Sequence, residues 1–171
     1  MSLEMCFWQV SDEQLSSFRH RRGAFMAFSE SAPCASGVVD HRNVRVFHFL
    51  LNGTEKRASG PSRIFQTWFD PSGCDDIHVD DLAFGMDSAN TQELLVRLKA
   101  LSNEEIRARE RLYGEILARR ERFLFWRRRR RAQMAAPIDD DDTYLEDCFA
   151  NLREICERAV ASKCGLIWSP G

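Results

Sequence analysis

The stretch 40–53, DHRNVRVFHFLLNG, limits the possible folds more than any other part of the chain. Val44, Phe47, His48 and Leu51 recur at three- and four-residue steps, which places them on one face of a helix, and Asn52-Gly53 offers a left-handed stop. Asp40 stands where its carboxylate can accept the first free amides. A helix this apolar has to be covered, so the remaining elements are expected to be laid around it.

The cover is available. The chain has 171 residues, 44% of them hydrophobic, enough for one core without metal or disulfide staples, and one domain spanning 1–171 is expected. The net charge of -2 hides an imbalance, because a basic run from Arg119 to Arg131 precedes an acidic one from Asp139 to Asp142. The total therefore implies neither a general polyanion binder nor an acidic tail. The six cysteines, Cys6, Cys34, Cys74, Cys148, Cys156 and Cys164, lack the paired short spacings of a zinc site or redox dithiol and read as free thiols of a reducing compartment. The start, MSLEMCFWQV, has no signal core, and no apolar run approaches a membrane span, so a cytoplasmic location is expected.

Taken in order, Met5–Val10 reads as a strand and Ser11 to Gln14 as a capping box opening a helix through about Phe18. Arg19 to Val39 reads as a mostly irregular connection with room for a short helix, in which Phe25, Met26 and Phe28 should pack. After the central helix and a polar loop, Ile64–Phe69 is apolar but undecided in state, and Asp80–Asp87 alternates as a strand does. Ser88 or Asn90 is placed to cap a helix carrying the stripe Leu94, Leu95, Leu98 and Leu101, and Ser102 to Glu105 forms a second capping box for the next helix. Thr143 and Glu146 form a third, ahead of the cleanest amphipathic run in the chain, Leu145 to Val160, which Gly165 should stop before a last strand at Leu166–Trp168. Strands at the start, middle and end, separated by helices, predict an α+β fold: a small mixed or antiparallel sheet of three to four strands covered by several helices.

Four pieces, HFLLNG from His48, PSRIF from Pro61, FGMDSANTQELLVRLKALSNEEIRAR from Phe84 and LEDCFANLREICERAVASKCGLIW from Leu145, together resemble the YfbM-like family of small bacterial proteins of unknown function. Their order and spacing match over most of the chain. The resemblance implies the same α+β arrangement and brings no established activity. Where family members commonly carry Trp and His ahead of the motif histidine, this chain has Val44 and Arg45, and Ser88 stands where an Arg is usual.

The chemistry is sparse. His48 and His41 share the central helix, but seven residues separate them by roughly 10 Å along the axis, too far to share an ion at bonds of about 2.1 Å. His48 therefore reads first as a core histidine bonded to backbone and second as a base in a cleft, where the candidate pocket residues are His48, Arg63, Gly85 and Asp87. Asp75, Asp76, Asp80 and Asp81 around His78 form an acidic loop without defined spacing. Arg127, Arg128, Arg129, Arg130 and Arg131 beside Phe123, Phe125 and Trp126 have the ingredients of nucleic-acid association, but Asp139, Asp140, Asp141 and Asp142 lie within loop reach and can neutralise them. No Walker loop, dinucleotide glycine pattern, nucleophile elbow, zincin helix or CxxC pair is present, and no cofactor is expected. The leading expectation is a non-catalytic module binding another protein through the loops around Asp70 to Asp81 and the segment Arg119 to Asp142. The alternatives are a small-molecule binder or enzyme with a cleft near His48, and non-specific nucleic-acid association through Arg127 to Arg131.

Overall fold

Alternation along the strands sorts the interior into two unequal cores. In the computed structural model, which describes residues 4–21, 23–40, 43–80, 83–127 and 143–170, strand β1 (Glu4–Val10) sends Met5 and Phe7 to the larger core and Trp8 and Val10 to the smaller. Strand β5 (Gly165–Pro170) divides Leu166 and Trp168 from Ile167 in the same way, and β4 (Ala83–Met86) divides Phe84 and Met86 from Ala83. With β2 (Ala35–Asp40) and β3 (His78–Asp80) they form a five-stranded antiparallel sheet in the order β2-β1-β5-β4-β3. The α+β class with an antiparallel sheet is as the sequence implies.

Helices cover both faces. The smaller core is closed by α1 (Asp12–His20) through Leu15 and by α2 (Ala24–Ser29) through Phe25. The larger is closed by α3 (Val44–Asn52), α4 (Ser88–Ala100) and α6 (Tyr144–Ala161), with α5 (Asn103–Arg127) adding Ile106. Phe47 and Leu50 of α3 are fully enclosed, each contributing roughly 1.5–3 kcal/mol of burial. The predicted leucine stripe of α4 and the apolar face of α6 both point into this core. Six cysteines are free thiols, and Cys74, Cys148 and Cys156 are buried.

Several boundaries differ from expectation. The segment read as irregular contains β2 as well as α2, and Met26 on α2 faces solvent. Asp40 ends β2 opposite Glu4, so the start of α3 falls to Asn43, which makes no side-chain cap bond. Gly53 does stop α3, with φ 66° and its N–H bonded to Phe49 O at 2.7 Å. The helix α4 is capped by Asp87, one residue before Ser88, because β4 ends at Met86 and leaves Asp87 extended. The third capping box does not form: Thr143 Oγ1 donates to Asp147 and Glu146 turns to Arg107 instead. Gly165 does not end α6, since Lys163 takes the left-handed conformation at φ 54° and Gly165 opens β5. The strand expected over Asp80–Asp87 resolves into β4, with Asp80 closing β3 and residues 81 and 82 outside the described set.

Two arginines finish helices at a distance. Arg153 on α6 donates from Nε to Leu98 O at 2.8 Å and from Nη2 to Leu101 O at 2.5 Å, satisfying the end of α4. Arg109 on α5 does the same for α3 through Leu50 O at 2.6 Å and Leu51 O at 3.1 Å. The predicted box at Ser11 is in place, with Ser11 and Gln14 bonded reciprocally; at Ser102 half of it forms, Oγ accepting from Glu105 N at 3.1 Å while the Glu105 carboxylate pairs with Arg109.

Candidate functional site

His48 lies on the buried face of α3 and is 1% exposed. Its Nε2 is 2.9 Å from the carbonyl of Lys56, so that nitrogen carries the proton and donates, while Nδ1 faces Asn52 Nδ2 at 3.4 Å. Asn52 Nδ2 also donates to His48 O at 3.0 Å and Ser62 O at 3.2 Å, and the imidazole sits edge-on to Phe69 with centroids 5.3 Å apart. The histidine thus ties α3 to the loop after it. It does not reach the cleft described next, and a cleft reading built on its imidazole loses that group.

The other candidate positions converge. Arg63 and Asp87 line a cleft of about 280 Å³ whose apolar floor includes Pro61, Ile77, Met86 and Trp168, and whose polar wall is Arg19, Arg63, Asp76, Asp87 and Asn90. Gly85 lies just behind the rim, where its carbonyl accepts from Arg19 Nη2 at 3.0 Å. A Cβ at Gly85 would come within 2.7 Å of Leu15 Cδ1, so the absence of a side chain lets α1 approach β4 closely enough for Arg19 to reach across.

Each charge in the wall is held. Arg63 ends a 3₁₀ turn at Gly60–Arg63 and is only 13% exposed. Its Nε donates to Gly60 O at 3.2 Å, Nη1 to Gly73 O at 3.0 Å and to Asp76 Oδ1 at 2.8 Å, and Nη2 to Asp76 Oδ2 at 2.6 Å. The bidentate bond to Asp76 raises the Arg63 pKa and holds the Asp76 carboxyl below the usual range, although Asp76 itself is 65% exposed and the pair is partly screened. Asp87 Oδ1 accepts from Asn90 N at 2.8 Å and from Asn90 Nδ2 at 2.9 Å, and Asp12 takes Ser88 N at 2.8 Å and Ser88 Oγ at 2.7 Å. Carboxylates therefore occupy the positive end of α4.

Beside the cleft, Asp70 accepts from Arg57 Nε at 2.8 Å and also from Ser72 Oγ, and these bonds, that from Ser72 first, keep its pKa low. Cys74 is enclosed, and burial raises its thiol pKa. Among the described residues no group of three His, Cys, Asp or Glu side chains is placed to hold a metal ion, and no helix is long and apolar enough to cross a membrane. The candidate surface at Arg128 to Arg131 and Asp139 to Asp142 lies outside the described residues, and of Arg127 only the backbone, at the end of α5, is described. Arg19 and Asp76 had no motif to announce them; the one available signal was the acidic loop containing Asp76.

Fold and cleft together define an α+β protein with a helix-covered antiparallel sheet and a mixed-charge recess at the start of one helix. No protein-family model and no curated protein matches the chain. Among solved structures it is similar to YfbM of Escherichia coli, a protein of unknown function, with a TM-score of 0.52 over 96% of this chain and 97% of that one and a sequence identity of 12%. The chain has a YfbM-like fold, as its motifs implied, and at this identity the likeness extends to the fold alone.

Proposed function

We propose that the protein is a non-catalytic binding module, one domain over 1–171, that docks a segment of another protein in the mixed-charge cleft and works in the cytoplasm. One observation carries this reading: every charged side chain of the cleft is already bonded within the protein, Arg63 to Asp76, Arg19 to the Gly85 carbonyl and Asp87 to Asn90. A general acid or base needs an atom free to exchange a proton with a substrate, and these groups are already engaged by partners within the protein. A rigid pattern of both signs instead favours a partner whose own charges alternate, and like-charge contacts reject others. The loop around Asp70 to Asp81 supplies Asp76 and Ile77 to this surface, and the free thiols support a reducing compartment.

Immobilised wild-type and Arg19→Glu chains, incubated with cell extract at low salt, test the reading. Arg19 is solvent-exposed, and circular dichroism and urea unfolding of Arg19→Glu check that loss of its bond to the Gly85 carbonyl leaves the fold in place. The wild type is expected to retain a partner that Arg19→Glu loses, and neither should turn over any compound of a metabolite panel. Equal retention by both chains, or turnover by the wild type that Arg19→Glu abolishes, would overturn it.

A further inference from the structure

A groove of about 640 Å³ opens between α6 and the segment that leads into β2. Phe28, Ala32 and Pro33 line it from α2 and the turn that follows, and Ile155 and Arg158 line it from the last two turns of α6. Arg158 is the only charged residue in this lining among the described residues. Its guanidinium makes no hydrogen bond to any described residue: Glu154 Oε1 stands 3.9 Å from Nε, beyond bonding range, and the Arg158 side chain is 53% exposed. Arg153, on the same helix, shows the contrast, since its fork is already bonded to Leu98 O and Leu101 O.

We propose that this groove binds a small amphiphilic carboxylic acid, a monoanion with an apolar body, whose carboxylate is taken by Arg158. Size selects a small molecule: the volume falls within the range of ligand pockets, and the chain's own Pro33, Cys34 and Ala35 occupy the place beside Gln9 that a peptide strand would need. Charge selects the head group. An unbonded guanidinium offers parallel N–H donors to a carboxylate, whereas no second cation in the described lining balances the further charge of a phosphate. The remaining walls select the body, since the side chains of Phe28, Ala32, Pro33 and Ile155 offer only carbon. Arg158 sits in the last turn of α6, whose free carbonyls repel an anion, and Glu154 adds to that repulsion. Without the guanidinium the groove therefore disfavours an acid. The groove shares no lining residue with the mixed-charge cleft, so this inference stands independently of the function proposed above.

Three probes sharing one ring system separate charge from shape: naphthylacetate, the neutral naphthylacetamide and the cationic naphthylethylamine. Each is titrated into the intact isotope-labelled chain, as wild type, Arg158→Gln and Arg111→Gln, and affinities are read from amide shifts in spectra that also show each variant to be folded. Arg111, exposed on α5, controls for net charge. The acid is expected to shift amides at Gln9, Cys34 and Asn151 and to bind about tenfold more tightly than the amide, a margin lost in Arg158→Gln and kept in Arg111→Gln. The proposal is overturned if no probe shifts those amides, if the amide or the amine binds as tightly as the acid, or if Arg158→Gln binds the acid as wild type does. It is equally overturned if inorganic phosphate displaces the acid, or if the same shifts arise from self-association as the chain is concentrated.

Discussion

Replacing Gly165 by Ala should destabilise the protein, while the same replacement at Gly114 should stabilise it. At Gly165 an added Cβ falls 2.3 Å from the carbonyl oxygen of Met86 and 3.0 Å and 3.1 Å from Asp87 Cα and C. These are backbone atoms of the neighbouring strand end, so no side chain can rotate away. Relief to ordinary contact requires β4 and β5 to part by about 1 Å, which stretches the local ladder bonds beyond useful length. Overpacking of about 1–3 kcal/mol and the loss of one such bond at about 1 kcal/mol sum to roughly 2–4 kcal/mol. For a chain of this size that is a fall in Tm on the order of 5–15 °C. Gly114 lies inside α5 with nothing within 4 Å of its added Cβ, so Ala there should gain about 0.5–1 kcal/mol from helix propensity alone. Urea unfolding followed by fluorescence, with Trp168 enclosed in β5 as an internal reporter, measures both if the slope m is unchanged. A Gly165→Ala variant as stable as wild type would refute the close approach of β4 to β5.

Arg109→Met strips the donors from Leu50 O and Leu51 O and should cost about 1–3 kcal/mol in the same unfolding assay, with Arg109→Lys recovering only part because an ammonium lacks the planar fork. Asp70 and Asp76 are both held below their ordinary pKa of 3.8, by Ser72 and then Arg57 in one case and by Arg63 in the other. Their stabilisation is present above that value and lost as pH falls through the lower folded value, so Asp76→Asn should flatten the stability curve below about pH 4; an unchanged acid limb would count against the Arg63 pairing. The Cys156 thiol is pushed up to about 12 by burial, and Cys74 is raised by the same cause. A thiol-disulfide reagent at about pH 8 should therefore modify exposed Cys34 first and reach Cys74, Cys148 and Cys156 only on unfolding, a sequence that peptide mapping reads directly.

Elements whose burial follows a period were legible in the sequence: β1, the leucine face of α4, α6 and β5. Strand β2 was not, because ASGVVD shows little alternation and contains Gly37, and its pairing partner lies some thirty residues earlier in the chain. Caps were displaced for a related reason. Glu146 has the right spacing to close a box with Thr143, but Arg107, from 39 positions upstream, takes its carboxylate. Local spacing nominates a cap and long-range pairing decides among the nominees. The cleft shows the same division. Arg63, Gly85 and Asp87 stood in motifs, whereas Arg19 joins them only because Gly85 lets α1 come close, a contact across 66 positions with no spacing to betray it. The position of His48 on the apolar face was legible; its bond to the Lys56 carbonyl depends on the path of a loop and was not.

A likeness of fold at 12% identity over 96% of the chain has a physical basis that limits what it carries. Layering of helices on a sheet needs apolar side chains at alternate strand positions and along one helix face, and many residues of similar volume meet that need. A bidentate arginine–carboxylate pair has no such latitude: replacing Arg63 by Lys, or moving Asp76 by one residue, ends it. The cleft's charges are thus a property of this chain's own residues, set on a scaffold that many sequences can build. Under the proposed function, partner choice would follow from the spacing of Arg19, Arg63, Asp76 and Asp87, and substitutions that reverse those charges while leaving the alternation of β4 and β5 intact would separate recognition from folding.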